Sequence, residues 1–278
     1  MDFRVSPGSI VAPFLSYLNS NFHDGFMAIS QFFDVLIGGI VTLLSLGSPE
    51  VVIGCLALVC ALVAGWRVGL MTLIGLACCL ALGMWAPAVH TIALIIIAVA
   101  FSLSIGIVLG VLLSRSERLK ILSRPILDVM QTMPPWVYLV PAVVLFGLGA
   151  VPALLATIIF GIPPMIRLTI LAMSQIPENR LELGAAIGAS PREILWKIEL
   201  PSALPTLLIG VNQCVLLSLG MVVLAGLVGA GGLGSEVTRG LSRMEFGLGV
   251  RASLAIVILA LIIDRVCRGT IPARYLKH

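Results

Sequence analysis

The sequence predicts an all-α, polytopic membrane protein with about seven transmembrane helices and an N-terminal amphipathic helix. Of its 278 residues, 59% are hydrophobic and 11% are charged, and the mean hydropathy is +1.14. Soluble domains carry about 25% charged residues. The long apolar runs greatly outnumber short alternating ones, which indicates spanning helices, not a barrel. The formal net charge of +4 comes without a basic stripe, so nucleic acid is not an expected partner.

The N-terminal unit, residues 1–48, is predicted to contain an exposed lead-in (1–23) and one amphipathic helix (24–46). No basic segment followed by an apolar core and a cleavage site is found at the start, so no signal peptide is expected. In 24–46, Asp34 and the pair Gly38-Gly39 argue for a helix in the membrane interface. A first span remains the alternative. The helix is predicted because large apolar residues recur at steps of three and four: Phe26, Ile29, Phe33, Leu36, Ile40 and Leu43.

The remaining chain divides into two peripheral spans (49–88), a transmembrane core (89–268) and a cytoplasmic tail (269–278). The apolar runs that predict the seven spans are 51–66, 68–86, 89–114, 129–149, 151–173, 203–228 and 248–266. With the N-terminus outside, 13 of the 17 lysines and arginines fall on the inner side. The positive-inside rule therefore favours seven spans with the N-terminus outside and the C-terminus in the cytoplasm. The polar loop 175–202 then lies in the cytoplasm too.

That loop is predicted to form a helix, a tight turn and a second helix. Gly188 is placed to end the first helix in a left-handed conformation. Ser190 and Glu193 have the spacing of a capping box, and Pro191 occupies the first helical position, where its missing N–H costs nothing. The second helix is expected to stop at Leu200-Pro201. Such a bent, polar helix pair between two spans is suited to binding a protein outside the membrane.

Motifs for catalysis or cofactor binding are not found in the sequence. Residues 229–234 match G-x-G-x-x-G, but a span precedes them instead of a strand, which predicts a backbone break and not a dinucleotide site. No Walker A loop occurs, and His23, His90 and His278 are too far apart in sequence to suggest a metal cluster. We therefore expect neither an enzyme nor a bound cofactor or metal in this chain.

Two groups of residues are candidates for a substrate pathway. Prolines interrupt the span 129–149, and broken helices can line a pathway or simply mark a kink. The aromatic faces beside this break could contact a quaternary ammonium cation or anchor the helix at the interface. An amide pair in the sixth span could face the pathway or join helices. The candidates are Gln131, Thr132, Pro134, Trp136, Tyr138, Asn212 and Gln213.

The polar loop resembles a signature of binding-protein-dependent ABC importer permeases, E-A-A-x(3)-G-x(9)-I-x-L-P. Glu182, Gly188 and Ile198 match it, as does Leu200-Pro201, whereas Leu183 and Gly184 replace the two alanines. In that family the loop forms coupling helices that dock into a groove of the ATPase subunit. The resemblance thus implies a contact made by Glu182, Gly188, Ala189, Ser190, Pro191 and Arg192.

The likeness extends from about Ile92 to Arg265. The stretches 127–134, 137–141, 210–213 and 231–234 look like the permease of glycine betaine, proline betaine and choline importers. This resemblance implies a type I ABC importer core in a bacterial inner membrane, a second permease copy, a dimer of ATPase subunits that binds ATP and Mg, and an extracytoplasmic substrate-binding protein. The permease itself would hydrolyse nothing. The alternatives are a permease for amino acids such as methionine, an ion-gradient-driven secondary transporter and a membrane enzyme.

Overall fold

The computed structural model describes residues 8–269, and every regular element within them is helical, which confirms the all-α prediction. The longer elements are α1 (Gly8–Leu44), α2 (Pro49–Ala64), α3 (Trp66–Ala81), α4 (Trp85–Ser114), α5 (Glu117–Thr132), α6 (Trp136–Phe146), α7 (Ala150–Ser174), α10 (Leu200–Leu224), α11 (Gly232–Ser242) and α12 (Phe246–Gly269). Between α7 and α10 lie the short helices α8 (Glu178–Ala186) and α9 (Pro191–Ile194) and a π-helical segment, Leu195–Glu199. The predicted tail lies outside the described residues except for its first residue, Gly269.

Helices α4, α7 and α10 form the centre of the molecule, and glycines bring them close together. A β-carbon placed on Gly106 of α4 would lie 2.6 Å from Cβ of Met165 on α7. One placed on Gly110, a turn further, would lie 2.4 Å from Cβ of Thr169. Because both contacts advance in the same chain direction, α4 and α7 run parallel. Small residues at such contacts let helix backbones approach, which is how membrane helices associate without a hydrophobic driving force.

Helices α2 and α3 form a hairpin against α12. The chain reverses at Gly65, whose φ of +97° is readily reached only by glycine. A β-carbon on Gly69 would lie 2.4 Å from Cβ of Ala61, so the two helices touch along this edge. Each helix has 16 residues and is therefore about 24 Å long. That is shorter than the roughly 30 Å hydrocarbon core.

Fewer described helices have the length and composition of a membrane span than the seven apolar runs predicted from the sequence. Five described helices are long and apolar enough to cross a membrane, or six if one bent pair is a single span. Helices α2 and α3 fall short in length. The predicted span 129–149 is not continuous, because the chain breaks at Met133–Pro135 and α5 and α6 meet at 88°. Prolines 134 and 135 remove backbone donors at this corner, which explains why an apolar run failed to give one helix.

The N-terminal helix is longer than the sequence indicated. It begins at Gly8, inside the predicted lead-in, and only Phe22 interrupts it with non-helical backbone angles. Phe33 and Ile37 face inward and join a buried cluster with residues of α4, α7 and α10. Its segment Ser16–Leu44 is itself long and apolar enough to span. The length of this helix is thus sufficient for the alternative of a first span, while its location in the membrane interface stays a prediction.

Candidate coupling site

The polar loop turns where the sequence predicted, and by the predicted mechanism. Helix α8 ends at Ala186, and Gly188, two residues further on, has a φ of +75°. The Gly188 N–H donates to the Ala185 carbonyl at 3.0 Å, and the Ala189 N–H donates to the Gly184 carbonyl at 3.0 Å. These two bonds are the pair that defines a Schellman motif. The end of α8 therefore needs no outside partner to hold its shape.

The start of the second helix is capped as predicted. The Glu193 N–H donates to Ser190 Oγ at 3.4 Å, and the Ser190 N–H donates to Glu193 Oε2 at 3.0 Å. Lys197 Nζ also donates to Glu193 at 3.0 Å. The Ser190 backbone N–H, followed by Lys197, lowers the pKa of the Glu193 carboxyl to about 2. The capping carboxylate is thus ionised throughout the physiological pH range.

The expectation that the second helix stops at Leu200-Pro201 is wrong. Helix α9 passes through the π-helical segment Leu195–Glu199 into α10 without a break. Within this segment the Leu200 N–H donates to the Leu195 carbonyl, five residues back. Pro201 has no N–H, and its ring would collide with the carbonyl four residues earlier. A widened π turn accommodates that proline, so it deforms the helix instead of ending it.

Helix α8 rests on this continuous helix through Gly184, one of the two departures from the family signature. A β-carbon on Gly184 would lie 2.6 Å from Cδ1 of Ile198 and 3.3 Å from Cγ1 of Ile194. The absence of a side chain at Gly184 thus leaves a notch in the surface of α8, and Ile194 and Ile198 fill it. Arg180 Nη1 adds a hydrogen bond of 3.1 Å to Ser202 Oγ. The loop is therefore a fixed V of two helices and not a flexible linker.

The outer surface of this V is open to solvent. Glu182, Gly188, Ser190, Pro191 and Arg192 are exposed, and Ala189 is half-buried. The structure brings these six predicted residues together around one turn. It also exposes three large apolar side chains that the sequence reasoning had not singled out: Leu183 (64%), Ile187 (75%) and Trp196 (69%). Their occurrence in an otherwise polar loop was the available signal, because an exposed apolar patch rimmed by polar residues marks an interaction site.

One ion pair connects the loop to the transmembrane core. Arg115, at the C-terminal end of α4, binds the Glu199 carboxylate with both terminal nitrogens, and its Nη1 lies 2.7 Å from Oε1. The Glu199 side chain is only 5% exposed. The hydrogen bonds to Glu199 raise the pKa of Arg115. The sequence had not indicated this pair, since 84 positions separate its members.

The structure does not gather the candidate pathway residues into one pocket. Gln131, Thr132, Pro134 and Trp136 are exposed at the α5–α6 corner, and Gln213 is exposed on α10. Tyr138 is buried instead. Its hydroxyl donates to the Met130 carbonyl across the corner, and its ring contacts Phe160 edge-on at 5.9 Å. Asn212 Oδ1 is buried and lacks a hydrogen-bond partner within residues 8–269. The role of this group in transport stays a prediction.

Comparison with known proteins identifies the class to which this fold and loop belong. Residues 102–268 match the family described as the binding-protein-dependent transport system inner membrane component. The chain belongs to that family. Among solved structures, it resembles a chain of the MetNI methionine ABC transporter in an inward-facing conformation. That match has a TM-score of 0.57 and 26% identity, and it covers 65% of this chain and 92% of the other.

Relatives in the family carry narrower descriptions. The chain is 43% identical to the glycine betaine/proline betaine transport system permease protein ProW of Escherichia coli, over 92% of this chain and 72% of the relative. It is 38% identical to the glycine betaine transport system permease protein OpuAB of Bacillus subtilis, over 96% and 94%. The resemblance stated from the sequence is confirmed, with the fold of a type I importer permease.

Proposed function

We propose that this chain is the permease subunit of an ATP-driven importer of glycine betaine or related quaternary ammonium compounds, such as choline and proline betaine. The observation that carries the proposal is the rigid, exposed V at 175–202, built by local caps and bearing uncovered apolar side chains. A dimer of ATPase subunits, which binds ATP and Mg, would dock there. A second permease copy and an extracytoplasmic substrate-binding protein would complete the importer.

The division of tasks between the permease and its ATPase partner follows from the chemistry of the substrate. A zwitterion with a quaternary ammonium group cannot cross hydrocarbon unaided, because both of its charges would lose their hydration. The permease must therefore supply a wettable path and a switch between two access states. Hydrolysis by the partner would move the V, and α10 would receive that motion directly because it is covalently continuous with the loop. The exposed break at 131–136 is our candidate for part of the path.

The substrate class rests on the relatives named for glycine betaine, which cover nearly the whole chain. A permease for an amino acid such as methionine is the second candidate, because the solved structure that this chain resembles comes from a methionine transporter. An ion-gradient-driven mechanism would leave the coupling surface without a purpose. We place that surface in the cytoplasm, with the N-terminus outside, on the strength of the lysine and arginine distribution.

Uptake by the reconstituted complex tests the proposal. The permease is purified with its co-eluting ATPase and binding protein and placed in proteoliposomes. We expect uptake of radiolabelled glycine betaine that requires ATP, competes with choline and proline betaine, and is indifferent to methionine. Competition by methionine alone would favour the second candidate. Uptake driven by an ion gradient without ATP would overturn the proposal.

Reversing the charge of Glu182 tests the docking surface separately. Glu182 is exposed on α8 and takes no part in the caps that shape the turn, so Glu182→Lys is expected to leave insertion intact. Its positive charge should prevent productive ATPase contact and abolish uptake. The matched control is Glu178→Lys, in the first turn of the same helix and outside the signature. Equal loss of uptake in both variants would mean that α8 tolerates no charge change, and Glu182 would lose its assigned role.

A further inference from the structure

The ion pair between Arg115 and Glu199 lies where the coupling loop meets the transmembrane core. Glu199 is the last residue of the π-helical segment, and Arg115 follows the last residue of α4. Most other ion pairs in residues 8–269 join residues three or four apart on one helix. The Arg167–Asp128 pair also links two elements, α7 and α5, but both of its side chains are well exposed. The Arg115–Glu199 pair thus stands out by its buried carboxylate and by what it connects, although the Arg115 side chain itself is half exposed.

The geometry of this pair suits the transmission of force. The planar guanidinium binds both carboxylate oxygens, which fixes orientation as well as distance. Glu199 is nearly inaccessible to water, so its negative charge needs this partner in any conformation that keeps it buried. The carboxylate also sits on a π turn, a helix distortion that is frequent at functional sites. A displacement of the loop that moves Glu199 must therefore either move the end of α4 as well or break the ion pair.

We propose that the Arg115–Glu199 pair is a positioning strut that transmits movement of the coupling loop to α4, so that α4, α7 and α10 move together. This inference deepens the proposed function and rests on it. The chain itself joins the loop to α7 at one end and to α10 at the other, whereas α4 has no such direct link. Helix α4 lies tightly against α7 through Gly106 and Gly110, so a pull on Arg115 in the same direction would keep these two helices together. The strut thus adds α4 to the two helices that the chain connects to the loop.

The test is the number of substrate molecules imported per ATP hydrolysed, measured in proteoliposomes with the complete importer. We expect Arg115→Gln and Glu199→Gln to assemble and to hydrolyse ATP, while uptake per ATP falls about tenfold, within the range by which coupling residues act. Arg115→Lys keeps the charge without the two-pronged geometry and should fall in between. The double variant Arg115→Glu/Glu199→Arg should recover part of the ratio.

The matched control is Arg268→Gln, which removes the charge partner of Asp264 within α12 and should leave the ratio unchanged. If the variants lowered uptake and ATP hydrolysis by the same factor, or left the ratio at its wild-type value, the strut would be excluded. If neither glutamine variant assembles, Arg115→Lys becomes the deciding variant. A wild-type ratio of uptake to ATP hydrolysis in that variant would show that the ion pair contributes to folding alone. Absence of ATP-dependent uptake in the wild type would instead refute the proposed function, so the two failures are distinguishable.

Discussion

Two glycine turns flank the continuous helix that runs from α9 through α10, and they use glycine for different reasons. At the inner turn, a β-carbon on Gly188 would meet nothing within 4 Å, and only its φ of +75° favours glycine. At the outer turn, a β-carbon on Gly226 would lie 2.1 Å from the carbonyl carbon of Gly234. The first glycine shapes an exposed surface, whereas the second allows two backbone segments to touch.

The outer turn is also tied to the core by a long-range hydrogen bond. The N–H of Leu233 donates to Thr91 Oγ1 on α4 at 2.9 Å, and Thr91 is 1% exposed. The expected backbone break at 229–234 is confirmed, with positive φ at Gly229, Gly231 and Gly232. The comparison shows that a turn held by its own hydrogen bonds can leave its surface free for a partner. A turn held by distant contacts instead has part of its backbone packed against the core.

The largest effect is expected at the outer turn. In Gly226→Ala the new methyl group would overlap backbone atoms, which cannot rotate away, so we expect a loss of more than about 4 kcal/mol in the free energy of unfolding. Unfolding of the purified permease by a denaturing detergent measures this loss. Gly220→Ala is the control, because that glycine lies six residues earlier, in α10, with nothing within 4 Å of its added β-carbon, whereas Gly226 lies in the 3-10 segment Ala225–Val228 that follows α10. Equal stability of the two variants would contradict the close approach at Gly226.

The inner turn should respond in transport and not in stability. Asparagine and aspartate both tolerate a left-handed backbone, and the space around Gly188 is open, so both substitutions should insert and fold. Only Gly188→Asp adds a charge to the proposed ATPase contact. We expect it to abolish uptake, while Gly188→Asn retains a substantial part. A Gly188→Asp variant that captures the ATPase and transports normally would remove the turn from the coupling site.

The inner turn was predictable from the sequence because its determinants lie within a few residues of one another. The Schellman bonds of Gly188 and Ala189 and the capping box of Ser190 follow from local rules. The burial of Glu199 against Arg115 was not predictable, because nothing local connects the end of α4 with the segment before α10. The same holds for Gly226 and Gly234, whose contact depends on how the chain folds back.

Two further predictions from the sequence failed because another physical effect outweighed the local rule on which each was based. Pro201 was interpreted as a helix stop, yet the helix continues past it, because the preceding π turn accommodates a proline that would otherwise break a regular α-helix. The apolar run 129–149 met the composition test for a span, but Pro134-Pro135 bends the chain at its first third. Hydropathy measures how apolar a segment is and contains no information about whether its helix continues.

The smallest effect is expected at Gly184, which replaces the alanine of the family signature. Gly184→Ala should gain about 1 kcal/mol in helix propensity and lose a similar amount, about 1 kcal/mol, by crowding the core side chain it meets. That side chain is the flexible end of Ile198, whose Cδ1 would lie 2.6 Å away, so the net change in the free energy of unfolding should be near zero.

Ile198→Val removes this carbon. In that background Gly184→Ala should stabilise the protein, with an interaction energy of roughly 0.5–1 kcal/mol in the double-mutant cycle. Strict additivity of the two changes would show that the notch at Gly184 does not hold α8 against the continuous helix.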